Sequence, residues 1–502
     1  MPTDHISSLP VELWGLILGY ISDLQLRELV YLHPVFCHFA RAIIWKKVKL
    51  CSLEEQQRDR VLQLLRYPTL TSFVREIEIV RPHQHHLGQR DRSHWGLEMD
   101  RMYHEISRTS WLEPAKLVQQ VLLGPRKIIH LSTALLKEVQ GINHIVINFL
   151  CHTSVCPCYQ EDYEPLLSAI GTLNPTIRFL KLSLQLRDLP LFAKCMPAAA
   201  PGLQDLRTCV LYVLAPGKGT ISDTKYINSL SSFLEPVRKS LCSLAIIVPV
   251  FPPGLSLIPH LESLSFPNLT RLHLSIPSRM WSHRHASNLQ TLLSHSKRLR
   301  VLVLTYISMG DFPSLWSSDT SPTRLPPLES LHIEVMDTTG SYSAQLATAL
   351  LRPFENSLTT LSLLGRSLTY DEVRVLLHDL SRNRDKPILR KLRLAVSRLT
   401  PQLMDLFANR LESLQYLDLS YDETFSSNDA IIRDEREFLN IMSNKRYYRW
   451  RLKQIYAHKP SISTNGWVRA DPASVPVVLR RCVPRAQLTG AVDWSEFSEP
   501  SS

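Results

Sequence analysis

One short pattern, apolar-x-x-apolar-x-apolar, recurs along most of the chain. Its clear copies are Leu269-Thr-Arg-Leu-His-Leu274, Leu299-Arg-Val-Leu-Val-Leu304, Leu328-Glu-Ser-Leu-His-Ile333, Leu358-Thr-Thr-Leu-Ser-Leu363, Leu389-Arg-Lys-Leu-Arg-Leu394 and Leu414-Gln-Tyr-Leu-Asp-Leu419. Their first residues stand 30, 29, 30, 31 and 25 apart. Weaker copies lie upstream at Val74-x-x-Ile77-x-Ile79, Ile142-x-x-Ile145-x-Ile147, Ile177-x-x-Leu180-x-Leu182 and Leu241-x-x-Leu244-x-Ile246. Leu203-x-x-Leu206-x-Thr208 is weaker still, because its third position is polar. The last two apolar residues of a copy are two apart, so both point to one face of a strand and the residue between them points to the other. A strand with one apolar face buries it only against neighbours, so the copies stack. Several return segments carry helical spacing: Ala286–Leu293, Tyr342–Leu351, Asp371–Leu380 and Gln402–Arg410, with Thr369 and Thr400 placed to cap the last two. Strand plus helix every ~30 residues predicts an α/β solenoid, a curved parallel sheet with outer helices.

The first 50 residues read differently. Leu9-Pro-Val-Glu-Leu-Trp-Gly-Leu-Ile-Leu18, Leu24-Gln-Leu-Arg-Glu-Leu29 and the stretch from His33-Pro-Val-Phe36 to Ala42-Ile-Ile-Trp45 predict three short helices. Pro10 and Pro34 suit first turns, and Asp23 suits an N-cap. Leu13, Leu16, Ile17 and Tyr20 share one helical face. Three helices in about 40 residues cannot bury a self-sufficient core. What the rest of the chain does not cover is expected to be a partner-binding face.

Elsewhere the array is interrupted or ends. Residues 81–125 are polar and read as an insertion with helix-like stretches at Met99–Ile106 and Pro114–Leu122. Ser308–Pro327, rich in Ser, Thr, Asp and Pro, reads as a loop. After Tyr421 the pattern stops, so the solenoid is set at 73–421. Residues 428–456 read as a terminal capping helix, acidic first and basic last, as the helix dipole favours. Residues 458–502 read as a tail, partly extended and partly disordered.

Composition narrows the function. A chain of 502 residues that is 44% hydrophobic and 21% charged is ordinary globular protein. No apolar run approaches the ~20 residues of a membrane span, and Asp4 with no basic stretch beside it argues against a secretory signal. Nine cysteines without framework spacing suit a reducing compartment, cytoplasmic or nuclear. The net charge of +11 is dispersed rather than striped, so nucleic acid is a weak reading, even with the basic and aromatic run Lys445-Arg-Tyr-Tyr-Arg-Trp-Arg-Leu-Lys453. Cys151-His152 with Cys156 and Cys158 lacks the paired spacing of a zinc site. His83, His85, His86 and His94 read as a solvated loop. No P-loop, GxGxxG, HExxH or GxSxG is present, so neither catalytic residues nor a metal or cofactor is expected. The candidate recognition surface is the concave face of the sheet. Arg271, His273, His332, Lys391, Arg393, Tyr416 and Asp418 occupy its positions between the inward apolar ones. Solvated strand residues are the alternative there.

The N-terminal residues resemble an F-box. Leu-Pro-x-Glu-Leu, then Ile-Leu, then Leu-x-x-Leu and a closing helix ending in Trp match that family over residues 7–50. Val35-Phe-Cys-His-Phe39 departs from the family's third-helix pattern. The repeats resemble leucine-rich repeats, without the Asn expected after each strand; Pro277, Ile307, Met336, Arg366, Ser397 and Asp422 stand there instead. The resemblance implies a three-helix F-box, then an irregular leucine-rich-repeat solenoid. It implies a non-catalytic substrate-recognition subunit of an SCF-type ubiquitin ligase. Leu9, Pro10, Glu12, Leu13, Ile17, Leu18 and Tyr20 would meet an SKP-type adaptor, and through it a cullin–RING ligase, while the solenoid would hold a target protein. The alternative is a repeat scaffold without a ligase role.

Overall fold

The computed structural model describes residues 9–21, 25, 34–51, 55–80, 125–149, 163–171, 177–195, 203–214, 224–248, 261, 264–277, 283–307, 325–335, 351–354, 356–380, 388–424, 435–463, 466–469, 474–484, 486 and 494. The residues expected at the second N-terminal helix (Gln25 apart), the 81–125 insertion up to residue 124, the Cys151–Cys158 loop, most of Ser308–Pro327 and most of Tyr342–Leu351 lie outside these. The chain divides into two compact units, residues 1–209 with 232–237 and residue 502, and residues 210–231 with 238–501.

The first unit begins with α1 (Val11–Gly19) and α2 (Pro34–Ile44), then β1 (Lys47–Leu50), α3 (Glu55–Arg66), β2 (Glu76–Val80), α4 (Pro125–Glu138), β3 (His144–Asn148), α5 (Glu164–Gly171), β4 (Phe179–Gln185) and α6 (Leu189–Cys195). Strands β1 to β4 pair parallel in chain order. A division between the units falls inside β5 (Thr208–Leu214) and another inside α7 (Thr224–Leu234).

The second unit continues with β6 (Ser243–Ile247), β7 (Arg271–Pro277), α8 (His283–His295), β8 (Val301–Ile307), β9 (Ser330–Val335), β10 (Thr360–Leu368), α9 (Tyr370–Leu380), β11 (Lys391–Leu399), α10 (Pro401–Arg410) and β12 (Tyr416–Thr424). It closes with α11 (Glu435–Ser443), β13 (Gln454–His458), the antiparallel pair β14 (Pro460–Ser463) and β15 (Gly466–Arg469), and α12 (Ser474–Cys482). Strands β6 to β13 are parallel and follow chain order. The α/β class and the parallel sheet are therefore as the repeat spacing predicts.

Within each unit a recurring hydrogen-bond device locks a copy to the one before it. The carbonyl one residue past a copy's first apolar position accepts two amides from the same place in the next copy. In the first unit Arg75 and Glu76 both donate to Lys46 at 2.9 Å, and Asn143 and His144 to Arg75 at 3.1 and 3.2 Å. In the second, Thr270 and Arg271 donate to Cys242 at 2.8 and 3.1 Å, and Lys453 and Gln454 to Gln415 at 2.8 and 3.1 Å. The inward pair of each copy builds the core: Leu302, Leu304, Leu361, Leu363, Leu392 and Leu394 are all buried.

This device also corrects the reach of the array. Lys46 acts as the first acceptor, so Trp45-x-x-Val48-x-Leu50 is itself a copy, all three apolar residues buried. The segment read as 7–50 thus ends in a repeat strand. Arg207 and Thr208 donate to Arg178, which shifts the fifth copy by three residues to Leu206-x-x-Cys209-x-Leu211. A buried Cys stands where the pattern has Leu, and Thr208 takes an interleaved position. At the other end Leu452-x-x-Ile455-x-Ala457 is one more copy, carried by β13. Among the described residues of the helix expected over 428–456, α11 is helical and 454–456 belong to β13, because 452–457 has strand spacing. Trp450 fills the turn between them, buried, its indole N–H donating to the Leu411 carbonyl at 3.1 Å. The tail contributes structure as well: α12 packs on α11, burying Val475, Leu479 and Cys482.

The helix caps follow the sequence. Thr369 and Glu372 form a reciprocal capping box at α9, with bonds of 2.8 and 3.3 Å. Thr400, buried, accepts the Leu403 amide at 3.2 Å at the start of α10. Thr400→Ala should cost about 1 kcal/mol and Thr400→Ser almost nothing, measured by thermal denaturation. Equal loss in both variants would mean that the methyl group matters rather than the cap. In β10, Gly365 has φ +110°, and a Cβ there would lie 2.1 Å from the Val335 carbonyl oxygen. Only glycine fits this close approach, and the β10–β11 register shifts beside it.

Candidate functional sites

Two surfaces stand out, one in each unit. The first is α1. The sequence places Leu13, Leu16, Ile17 and Tyr20 on one apolar face, which an amphipathic helix would turn inward. The helix turns the other way. Trp14 and Leu18 are the buried pair, clustered with Ile21 and with Phe39 and Ile43. A helix apolar on nearly every side buries the face with the bulkiest ring, here Trp14. Leu9, Leu13 and Ile17 are left 39–44% exposed, Leu16 64% and Tyr20 92%. Pro10 is exposed and stands at the N-cap, its carbonyl accepting the Leu13 and Trp14 amides at 3.1 and 3.3 Å. Glu12 lies on α1. Leu18 thus separates from the other expected docking residues: it holds the helix down.

The second surface is the face of β7 to β13 opposite the inward leucines. Because the copies pair in register, the interleaved residues line up in rows. One row runs Arg271, Val301, Ser330, Thr360, Lys391, Tyr416 and Gln454; the next runs His273, Val303, His332, Ser362, Arg393, Asp418 and Tyr456. Neighbours in a row are ~4.8 Å apart along the hydrogen-bonding direction, so side chains on adjacent strands meet. His273 Nε2 lies 3.2 Å from Thr305 Oγ1. His332 Nδ1 lies 2.8 Å from Ser362 Oγ, and its Nε2 is 3.9 Å from Glu334. Lys391 Nζ stands 5.7 Å from the Tyr416 ring centroid. Arg393 Nε reaches Asp418 Oδ2 at 3.1 Å, and His458 Nδ1 lies 3.6 Å from Asp418 Oδ1. All seven expected face residues thus lie on one face.

The alternative of merely solvated strand residues does not describe several of these positions. Ser330, His332, Thr360, Ser362 and Asp418 are all buried. Ser362, bonded to His332 beside Glu334, is 0% exposed. Among the described residues no group of His, Cys, Asp and Glu could hold a metal ion. The face is lined by polar and charged side chains that pair with one another.

Glu334 carries a pH signature. The imidazole of His332 holds its carboxyl below the ordinary 4.5, burial pushes the other way, and His273 and Arg393 add to the lowering. A depressed folded-state value means stability that is present above pH 4.5 and lost as the pH falls below it. The stability gap between wild type and Glu334→Gln should therefore narrow in acid, as read by urea denaturation across that range. A gap independent of pH would remove Glu334 from the acid response.

Tyr456, His458 and Trp494 also belong to this surface, and sequence reasoning missed them. The spacing of Leu452, Ile455 and Ala457 could have placed Tyr456 and His458 in the rows. Nothing in the sequence pointed to Trp494, whose indole N–H donates to Asp418 Oδ2 at 3.0 Å. The basic run from Lys445 is partly consumed by packing: Lys445 and Tyr447 both bind Asp405 of α10. No helix among the described residues is long and apolar enough to cross a membrane. No protein-family model matches the chain, and no curated protein matches it.

Proposed function

We propose that the chain is the non-catalytic substrate-recognition subunit of an SCF-type ubiquitin ligase, an F-box followed by irregular leucine-rich repeats. The observation that carries this reading is the exposed face of α1. Leu9, Leu13, Leu16, Ile17 and Tyr20 stay in solvent on a single segment, and that segment is the one that resembles the F-box. Large apolar side chains gathered on one exposed surface mark a docking site. The repeats support the other half: each adds one side chain to each interleaved row, a surface suited to holding a target protein. Rate in such a ligase comes from holding a target lysine near a charged conjugating enzyme, which is proximity rather than chemistry by this chain. The reading places the protein in the cytoplasm or nucleus.

The burial of Trp14 and Leu18 against Phe39 and Ile43 favours a second reading, in which the N-terminal helices only cap the repeats and the chain is a scaffold. Capture of an SKP-type adaptor separates the two. The tagged full chain should retain purified adaptor under gentle conditions. If it does not, the ligase reading falls and the scaffold stands.

A further inference from the structure

Asp418 is a carboxylate only 3% exposed, and a buried charge is tolerated only when it is paired and hydrogen-bonded. Two of its partners come from the sheet, Arg393 at 3.1 Å and His458 at 3.6 Å. Another comes from far along the chain: Trp494, 76 residues later, donates its indole N–H at 3.0 Å. The same indole lies under the Arg393 guanidinium, Cζ to ring centroid 5.8 Å. One side chain thus uses both recognition elements of the face at once, the carboxylate for its N–H and the cation for its π surface. That is a fit to a tryptophan, since Phe lacks the N–H and Lys or Arg would repel Arg393.

The composition of the sequence around Trp494 is acidic. Residues 486–502 include Asp493, Glu496 and Glu499 and no Lys or Arg. The face carries Arg271, Lys391 and Arg393 together with His273, His332 and His458, against the two carboxylates Glu334 and Asp418. We propose that the face around Arg393 and Asp418 is a receptor for acidic peptide segments centred on tryptophan. The side chain of the chain's own Trp494 sits there as an intramolecular competitor, so a target protein of that chemistry must displace it. Tethering gives the internal segment an effective concentration in the millimolar range, which lowers the apparent affinity of any external ligand. The proposal deepens the target-holding half of the function above and rests on it. It involves no adaptor, so its failure and the failure of adaptor capture are separate results.

The test uses the full chain and a fluorescein-labelled peptide with the sequence of residues 490–502. Fluorescence polarisation should show that Trp494→Ala binds the peptide at least about tenfold more tightly than wild type, because the internal competitor is gone. Trp494→Phe should fall between them, since it keeps the ring and loses the N–H. Adding Arg393→Ala to Trp494→Ala should weaken peptide binding by about tenfold, and a peptide with Ala for the tryptophan should not bind. Equal binding by wild type and Trp494→Ala, or indifference to Arg393→Ala, overturns the proposal. So does a Trp494→Ala chain that melts: the indole would then be core rather than ligand.

Discussion

Leu392→Ala in β11 is expected to destabilise the second unit by roughly 2–5 kcal/mol, whereas Arg390→Ala, two residues earlier, should change stability by less than about 0.5 kcal/mol. Leu392 is fully buried, in register with Leu361 on one side and Leu417 on the other. Its removal opens a cavity lined by fixed strands that cannot collapse. Arg390 contributes to the sheet through its backbone, which accepts from Gln415 and Tyr416; its side chain is exposed. His332→Ala belongs between them. It empties a buried position and leaves the Ser362 hydroxyl without its imidazole partner, a loss of about 1–3 kcal/mol. Urea denaturation of the three variants orders them. Equal damage from Leu392 and Arg390 would mean that the strands are out of the register described here.

How much of this was legible follows from how periodic each part is. The strands with two leucines at the inward positions announce themselves, since period 2 is set by the pleat alone. The copies missed or read out of register are those in which one apolar position holds something other than Leu, Ile or Val: Trp45 at the start, Cys209 in β5, Ala457 in β13. Each residue is buried and apolar enough for its place, but none looks like Leu in a pattern. The pairing of Arg393 with Asp418 was implicit in the sequence, because copies that pair in register bring equivalent positions side by side. The partners of Asp418 were not all implicit, because one of them returns from outside the repeat. It is Trp494, a single residue with no periodic neighbours to announce it. Nor could spacing decide which side of α1 turns inward, since the helix is apolar nearly all round and the choice rests on Phe39 and Ile43 of α2.

That choice gives the second large effect its form. Replacing Leu16 and Ile17 together by Ala is expected to weaken adaptor binding by on the order of a hundredfold or more, from roughly 1.5–3 kcal/mol for each side chain fully buried in a complex. Both are exposed in the chain alone, so the double variant should melt like wild type. Leu18→Ala should behave differently. Leu18 is 1% exposed and packs with Trp14, so its loss costs stability, and adaptor binding would suffer only as α1 comes loose. Binding and melting measured on the same samples separate the two kinds of residue. If Leu16→Ala with Ile17→Ala binds adaptor as wild type does, the exposed face of α1 is not the docking surface. If Leu18→Ala loses binding without losing stability, the helix must turn over on binding and present Leu18 after all, which would require the Trp14 cluster to open at the interface.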